Sequence, residues 1–114
     1  MNDASGILLV EDDPRDVRLT TRELQRENPE VRIDVARDGE EALDYLFCRG
    51  TYASRSPHKP PLLVLLDLKL PKVGGLQVLR EIKSNRLTKA IPIVALTSSK
   101  EERDIAESYT LGVN

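Results

Sequence analysis

Three apolar runs in this chain each end in a side chain that can do chemistry. Ile7-Leu8-Leu9-Val10 gives way to Glu11-Asp12-Asp13, Leu62-Leu63-Val64-Leu65-Leu66 stops at Asp67, and Ile91-Pro92-Ile93-Val94-Ala95-Leu96 stops at Thr97. If the runs are strands of one sheet, the acids meet at one rim. Crowded carboxylates repel, and each resists ionisation unless positive charge lies between them. A hard divalent cation meets that need. Magnesium takes a few carboxylates, water and a phosphate oxygen in octahedral array. On that pattern Asp12 and Asp67 are direct ligands, Glu11 a partner through water, and the main-chain carbonyl of Lys69 the last protein donor. A carboxylate oxygen of Asp67 could then attack the phosphorus of a phosphohistidine or a small acyl phosphate, leaving an acyl phosphate on the protein. The cation would offset the added charge and align the groups, which is most of what phosphoryl transfer asks of a protein. The Thr97 hydroxyl would donate to a phosphoryl oxygen afterwards, and its movement would be the switch.

Each residue also has a plainer reading. An isolated acidic triplet is ordinarily a solvated turn with a helix cap, and Asp13 beside Pro14 is fully explained as that cap. Asp67 alone could simply end its strand. Thr97 could be a strand-end threonine or an N-cap, a part that Ser98 or Ser99 would fill as well. The coincidence of the triplet with Asp67 is what turns the reading towards chemistry. Lys69, Lys72 and Lys100 read as solvated loop lysines, although Lys69 lies close enough to Asp67 to alter how long a phosphate survives. His58 reads as a surface residue and Cys48 as packing.

The elements that must position these residues follow from pattern. Ile7–Val10 is apolar at every position, as in a strand buried on both faces. A helix starts at Asp13-Pro14-Arg15-Asp16, shows Val17, Thr20 or Thr21 and Leu24 at helical spacing, and runs out near Asn28-Pro29. Val31, Ile33 and Val35 alternate with polar residues, the sign of a strand with one face less buried. Asp38 and Glu41 have capping-box spacing before Ala42, Leu43, Leu46 and Phe47. Arg49 to Pro61 is rich in glycine, serine, proline and charge and reads as an elongated surface loop. Leu62–Leu66 is the central strand. Past Pro71 and Gly74-Gly75, a third helix carries Leu76, Leu79 and Ile82, and strand four is followed by a helix from about Lys100 to Leu111, stopped by Gly112. Strands alternating with helices predict an α/β fold of βαβ units with a parallel sheet, whose ligands bind beyond the carboxyl ends of the strands.

A chain of 114 residues, 39% apolar and 32% charged, has room for one packed domain. Its net charge of −2 is spread along the sequence, so no basic stripe invites nucleic acid or an anionic membrane. A single cysteine cannot form an internal disulfide, and a single histidine gives no zinc cluster. The start lacks a basic n-region, and Ile7–Val10 is too short for a signal segment or a membrane span. The expected setting is the cytosol.

The strings Ile7-Leu8-Leu9-Val10-Glu11-Asp12-Asp13, Leu65-Leu66-Asp67-Leu68-Lys69-Leu70-Pro71 with Gly74-Gly75, and Ile93-Val94-Ala95-Leu96-Thr97-Ser98 resemble receiver domains of two-component systems, over Ile7 through Asn114. Asp16-Val17-Arg18-Leu19, the loop around Tyr52 and Thr97-Ser98-Ser99-Lys100 look most like the single-domain regulators that partner phytochrome-type histidine kinases. The resemblance implies a flavodoxin-like, doubly wound sheet of order 2-1-3-4-5. It also implies Asp67 as phospho-acceptor, Glu11 and Asp12 as the acidic pair, Thr97 as switch hydroxyl, Mg2+ as cofactor and a sensor histidine kinase as donor. The expected product is a signalling protein and not an enzyme. Such domains normally continue into a fifth strand carrying a lysine followed by proline, and then a fifth helix. The resemblance therefore implies that residues 1–114 are one receiver domain truncated at its C-terminus, shorter than the natural protein by about 25 to 30 residues. Strand four would then be a bare edge, open to pairing in a homodimer. An added charge of about −1.5 to −2 at Asp67 would draw Thr97 inward and reshape the loop before the last helix, a surface read by another protein. Two alternatives compete: an adaptor of the same fold that is never phosphorylated, and a magnesium-dependent phosphatase of the haloacid dehalogenase kind. The latter needs a second aspartate where this chain has Lys69.

Overall fold

The computed structural model describes residues 6–70, 73–96 and 104. In chain order the elements are β1 (Ile7–Val10), α1 (Pro14–Glu27), β2 (Ile33–Ala36), α2 (Gly39–Leu46), a 3₁₀ turn at Gly50–Tyr52, β3 (Leu63–Asp67), α3 (Gly75–Ser84) and β4 (Ile93–Leu96). The four strands form one sheet of order β2-β1-β3-β4, parallel throughout. This is the flavodoxin-like, doubly wound α/β arrangement expected from the sequence. The direction of travel across the sheet reverses after β2, so right-handed crossovers put α1 on one face and α2 and α3 on the other. The expected helix from Lys100 to Leu111 lies outside the described residues, apart from Asp104, which is helical and exposed.

Local chemistry explains where the helices start. Asp13 Oδ1 accepts the Arg15 N–H at 2.9 Å, and Pro14 fills the first helical position, where no N–H is needed. Asp38 Oδ1 accepts the Glu41 N–H at 2.8 Å. Glu41 Oε1 reaches back to the Arg37 N–H at 2.9 Å instead of that of Asp38, so the capping box closes one residue further out than its sequence pattern predicts.

On the α2/α3 face, Leu8 and Val10 of β1 stand in register with Val64 and Leu66 of β3, and all four are fully buried. They pack with Ala42, Leu43 and Leu46 of α2 and with Val78, Leu79 and Ile82 of α3. On the opposite face Leu9 is fully buried and Leu65 nearly so, whereas Val94 and Leu96 of β4 are 46% and 36% exposed. The expected apolar stripe of α1, Val17, Thr20, Thr21 and Leu24, is half-buried.

Three boundaries differ from the sequence reading. β3 starts at Leu63 and includes Asp67, and Leu62, outside the ladder, is 62% exposed. β4 starts at Ile93, because Pro92 has no N–H to give a ladder, although its carbonyl accepts the Val64 N–H at 2.9 Å. β2 covers Ile33–Ala36 and leaves Val31 outside. The stretch 49–61 is also more than a surface loop. The Arg55 guanidinium lies 3.7 Å from the centre of the Tyr45 ring, its Nη1 donates to the Tyr45 carbonyl, and the Tyr52 hydroxyl donates to Glu41 Oε2 at 2.6 Å. The loop is thereby fastened to α2. Among the described residues no helix is long and apolar enough to cross a membrane.

Candidate metal and phosphoryl site

β1 and β3 are neighbours in register, with Val10 opposite Leu66, so the residue following each strand position on β1 faces its counterpart on β3. Continuing that register brings Glu11 beside Asp67. Glu11, Asp12 and Asp67 each offer a carboxylate oxygen, and the three oxygens lie within 4.8 Å of one another. This is the one such acidic group among the described residues. It forms at the carboxyl ends of the strands, where the topology changes direction and open parallel sheets bind their ligands.

The three acids differ in environment. Asp12 is exposed, Asp67 half-buried, and Glu11 only 7% exposed. Glu11 is tied down at both ends: its backbone N–H donates to the Ala36 carbonyl at 2.9 Å, and its Oε2 accepts the Asp13 N–H at 3.2 Å. Burial pushes its carboxyl up to about 7. The Asp13 N–H works against that rise, while the charge of Asp67, a hydrogen bond to the Asp67 carboxyl and the charge of Asp16 add to it. Asp67 Oδ1 accepts the Lys69 N–H at 2.9 Å, which folds residue 69 back beside the acid. The preceding amide, that of Leu68, donates to the Leu96 carbonyl at 3.1 Å, tying the end of β3 to the end of β4.

An all-oxygen cluster with one acid buried enough to hold its proton fits a hard divalent cation, which would replace that proton and offset the mutual repulsion. Of the residues expected from sequence, Glu11, Asp12 and Asp67 converge, and Lys69 stands beside Asp67 through its backbone while its side chain is exposed. Asp13 is the helix cap it was read as. His58 is exposed, and Cys48 is half-buried just past α2 with a positive φ of 57°. Thr97, Lys72 and Lys100 lie outside the described residues. Sequence reasoning did not foresee that Asp16 adds charge at Glu11. Its position one turn into α1 from the triplet was the available signal.

The family model for the response regulator receiver domain matches residues 7–114. The response regulator Rcp1 of Synechocystis sp. is 44% identical over 113 residues, which cover 99% of this chain and 75% of that protein. The Mn2+-bound form of Rcp1 superposes with a TM-score of 0.82 at 36% identity, covering 92% of this chain and 75% of the other. The bacteriophytochrome response regulator AtBRR gives a TM-score of 0.84 at 53% identity, over 97% of this chain and 79% of that one. The phosphorylated cyanobacterial phytochrome response regulator RcpA gives 0.81 at 45% identity, over 97% and 77%.

Proposed function

The chain belongs to the response regulator receiver domain family of two-component signalling, and from that premise we propose that Asp67 accepts a phosphoryl group from a sensor histidine kinase. The observation that carries the reading is the meeting of three carboxylate oxygens within 4.8 Å at the carboxyl rim of the sheet. Glu11, Asp12, Asp67 and the main-chain carbonyl of Lys69 would hold Mg2+ there. The bound cation supplies charge neutralisation and alignment of the phosphoryl oxygens. That Rcp1 has a manganese-bound form and RcpA a phosphorylated one supports extending both properties to this chain.

The chain's own groups divide the work. With Oδ1 of Asp67 engaged by the Lys69 N–H, Oδ2 is the oxygen left to attack. The O–P bond forms as the P–N bond of the donor phosphohistidine breaks, and the imidazole leaves with the electron pair and takes up a proton. Asp12, exposed at the mouth, meets the incoming donor side, while Glu11 lies buried beneath and would ionise as a cation replaces its proton. Thr97 follows β4 directly and would donate its hydroxyl to a phosphoryl oxygen after transfer, converting the new charge into a change of surface.

The likeness to phytochrome response regulators favours a phytochrome-type kinase as donor, and the setting is then the cytoplasm. Residues 1–114 act as one receiver unit whose output passes to another protein or to a second copy of itself, without direct contact with nucleic acid or membrane. Acetyl phosphate and Mg2+ test the proposal: intact-mass measurement should show one added phosphoryl group, absent from Asp67→Asn. Absence of the adduct in the parent protein, or its persistence in the variant, removes Asp67 from the role.

A further inference from the structure

Gly39 and Gly75, from two different elements, both press on the segment that follows Asp67. A Cβ at Gly75 would stand 2.4 Å from Leu68 Cα and 2.6 Å from the Asp67 carbonyl oxygen, so the start of α3 lies directly against the end of β3. A Cβ at Gly39, the buried first residue of α2, would stand 2.1 Å from the Val73 carbonyl oxygen and 2.8 Å from Val73 Cβ. Gly74, between these contacts in sequence, has nothing within 4 Å of the equivalent position. Gly6 is pressed as closely, but on the Arg32 carbonyl ahead of β2, so Gly39 and Gly75 are the two described glycines that bear on the stretch after Asp67.

The two contacts bracket Lys69. Leu68, one residue before it, is held under Gly75, and Val73, four residues after it, is held against Gly39 and packs on the core. The first turn of α2 has little freedom to yield. Asp38 caps the Glu41 N–H at 2.8 Å, Glu41 holds the Arg37 N–H at 2.9 Å, and the Ala42 N–H donates to the Asp38 carbonyl at 3.0 Å. A side chain at position 39 would therefore move Val73 in place of the helix. Lifting a 2.1 Å approach to ordinary contact needs a backbone displacement of about 1 Å, a misplacement large enough to matter at a reacting centre.

We propose that Gly39 is a positioning residue for the metal and phosphoryl site: its close approach to Val73, four residues past Lys69, sets how the Lys69 backbone is presented to Asp67. The proposal rests on the reading of Asp67, Glu11 and Asp12 as that site. It makes α2, which contributes no ligand, part of what sets the site's affinity for cation.

The test compares Gly39→Ala, which drives a Cβ into the Val73 carbonyl, and Val73→Gly, which removes the Val73 Cβ that stands against Gly39, with Gly74→Ala as control. Mg2+ affinity is read by calorimetry, the Lys69 amide by NMR in metal-free protein, and phosphorylation by acetyl phosphate across a range of Mg2+ concentrations. Gly39→Ala should bind Mg2+ roughly 10- to 100-fold more weakly, as for loss of a group that orients a ligand. Its slowed phosphorylation should recover at saturating Mg2+, its Lys69 amide resonance should shift, and Gly74→Ala should match the parent. Gly39→Ala and Val73→Gly both binding Mg2+ as Gly74→Ala does, with the Lys69 amide unmoved, overturns the proposal. If Gly39→Ala does not fold, Val73→Gly decides by the same criteria. A parent protein that takes up Mg2+ but no phosphoryl group refutes the phospho-acceptor reading, and the Mg2+ comparison still judges Gly39. If the parent binds no Mg2+, an unshifted Lys69 amide alone refutes the positioning claim.

Discussion

Glu11 is a nearly buried carboxyl on which, among the described residues, the charges of Asp67 and Asp16 act, and its proton answers to pH and to metal together. Its folded value of about 7 lies above the ordinary 4.5, so between those values the folded chain holds a proton that the unfolded chain has lost. Protons bound preferentially by the folded state make stability fall as pH rises through that window. The contribution is fully present below about 4.5 and gone above about 7. The denaturation midpoint of metal-free protein should decline across this range, and Glu11→Gln should flatten the decline. A cation favours the ionised form, so Mg2+ uptake should release protons below about pH 7 and few above it. Calorimetry in buffers of different ionisation heat reads that release directly. Asp12 is the contrasting case, an exposed member of the same cluster. Asp12→Ala should weaken Mg2+ binding while changing stability by no more than about 0.5 kcal/mol.

The second helix shows how far local pattern reaches and where it stops. Asp38 and Glu41 are legible as a start signal because capping acts over three residues, and Asp38→Ala should cost about 1 kcal/mol in chemical denaturation. A variant as stable as the parent would show that the cap is replaced by solvent. The remaining contacts of α2 join residues without any sequence period. Tyr45 donates to Asp34 Oδ2 at 2.6 Å and Tyr52 to Glu41 Oε2 at 2.6 Å, each pair eleven residues apart. Burial first, and the Asp34 bond second, push the Tyr45 phenol up to about 12. The alternation of β2 therefore has a sense that its pattern alone does not give. Asp34 belongs to the side facing α2, where Tyr45 satisfies it, and Ile33 and Val35 form the half-buried side facing α1. Period two identifies two faces, but it cannot say which of them a later tyrosine will cover.

Across the molecule, the site was legible because each run of apolar residues ends at the same rim of a parallel sheet, so sequence order alone brought Glu11, Asp12 and Asp67 to one place. What sequence could not show was support from a distance: the pressure of Gly39 on Val73, or the grip of Arg55 on Tyr45. That grip holds Arg55 at the last turn of α2, towards the amino end of the strands, while Tyr52 of the same stretch reaches the first turn of α2 at Glu41. Arg55→Ala should speed limited proteolysis within 49–61 and leave Mg2+ affinity unchanged, and a change in Mg2+ affinity would show that the two ends of the sheet communicate. The turn between α3 and β4 lies at that same amino end, closed by the Lys89 N–H on the Asn85 carbonyl at 2.8 Å and carrying Leu87 at 60% exposure. Because signalling groups crowd one pole, a fluorophore or an affinity handle grafted at Arg86-Leu87 would ride on the quiet pole, giving a biosensor scaffold whose label does not interfere with what it reports.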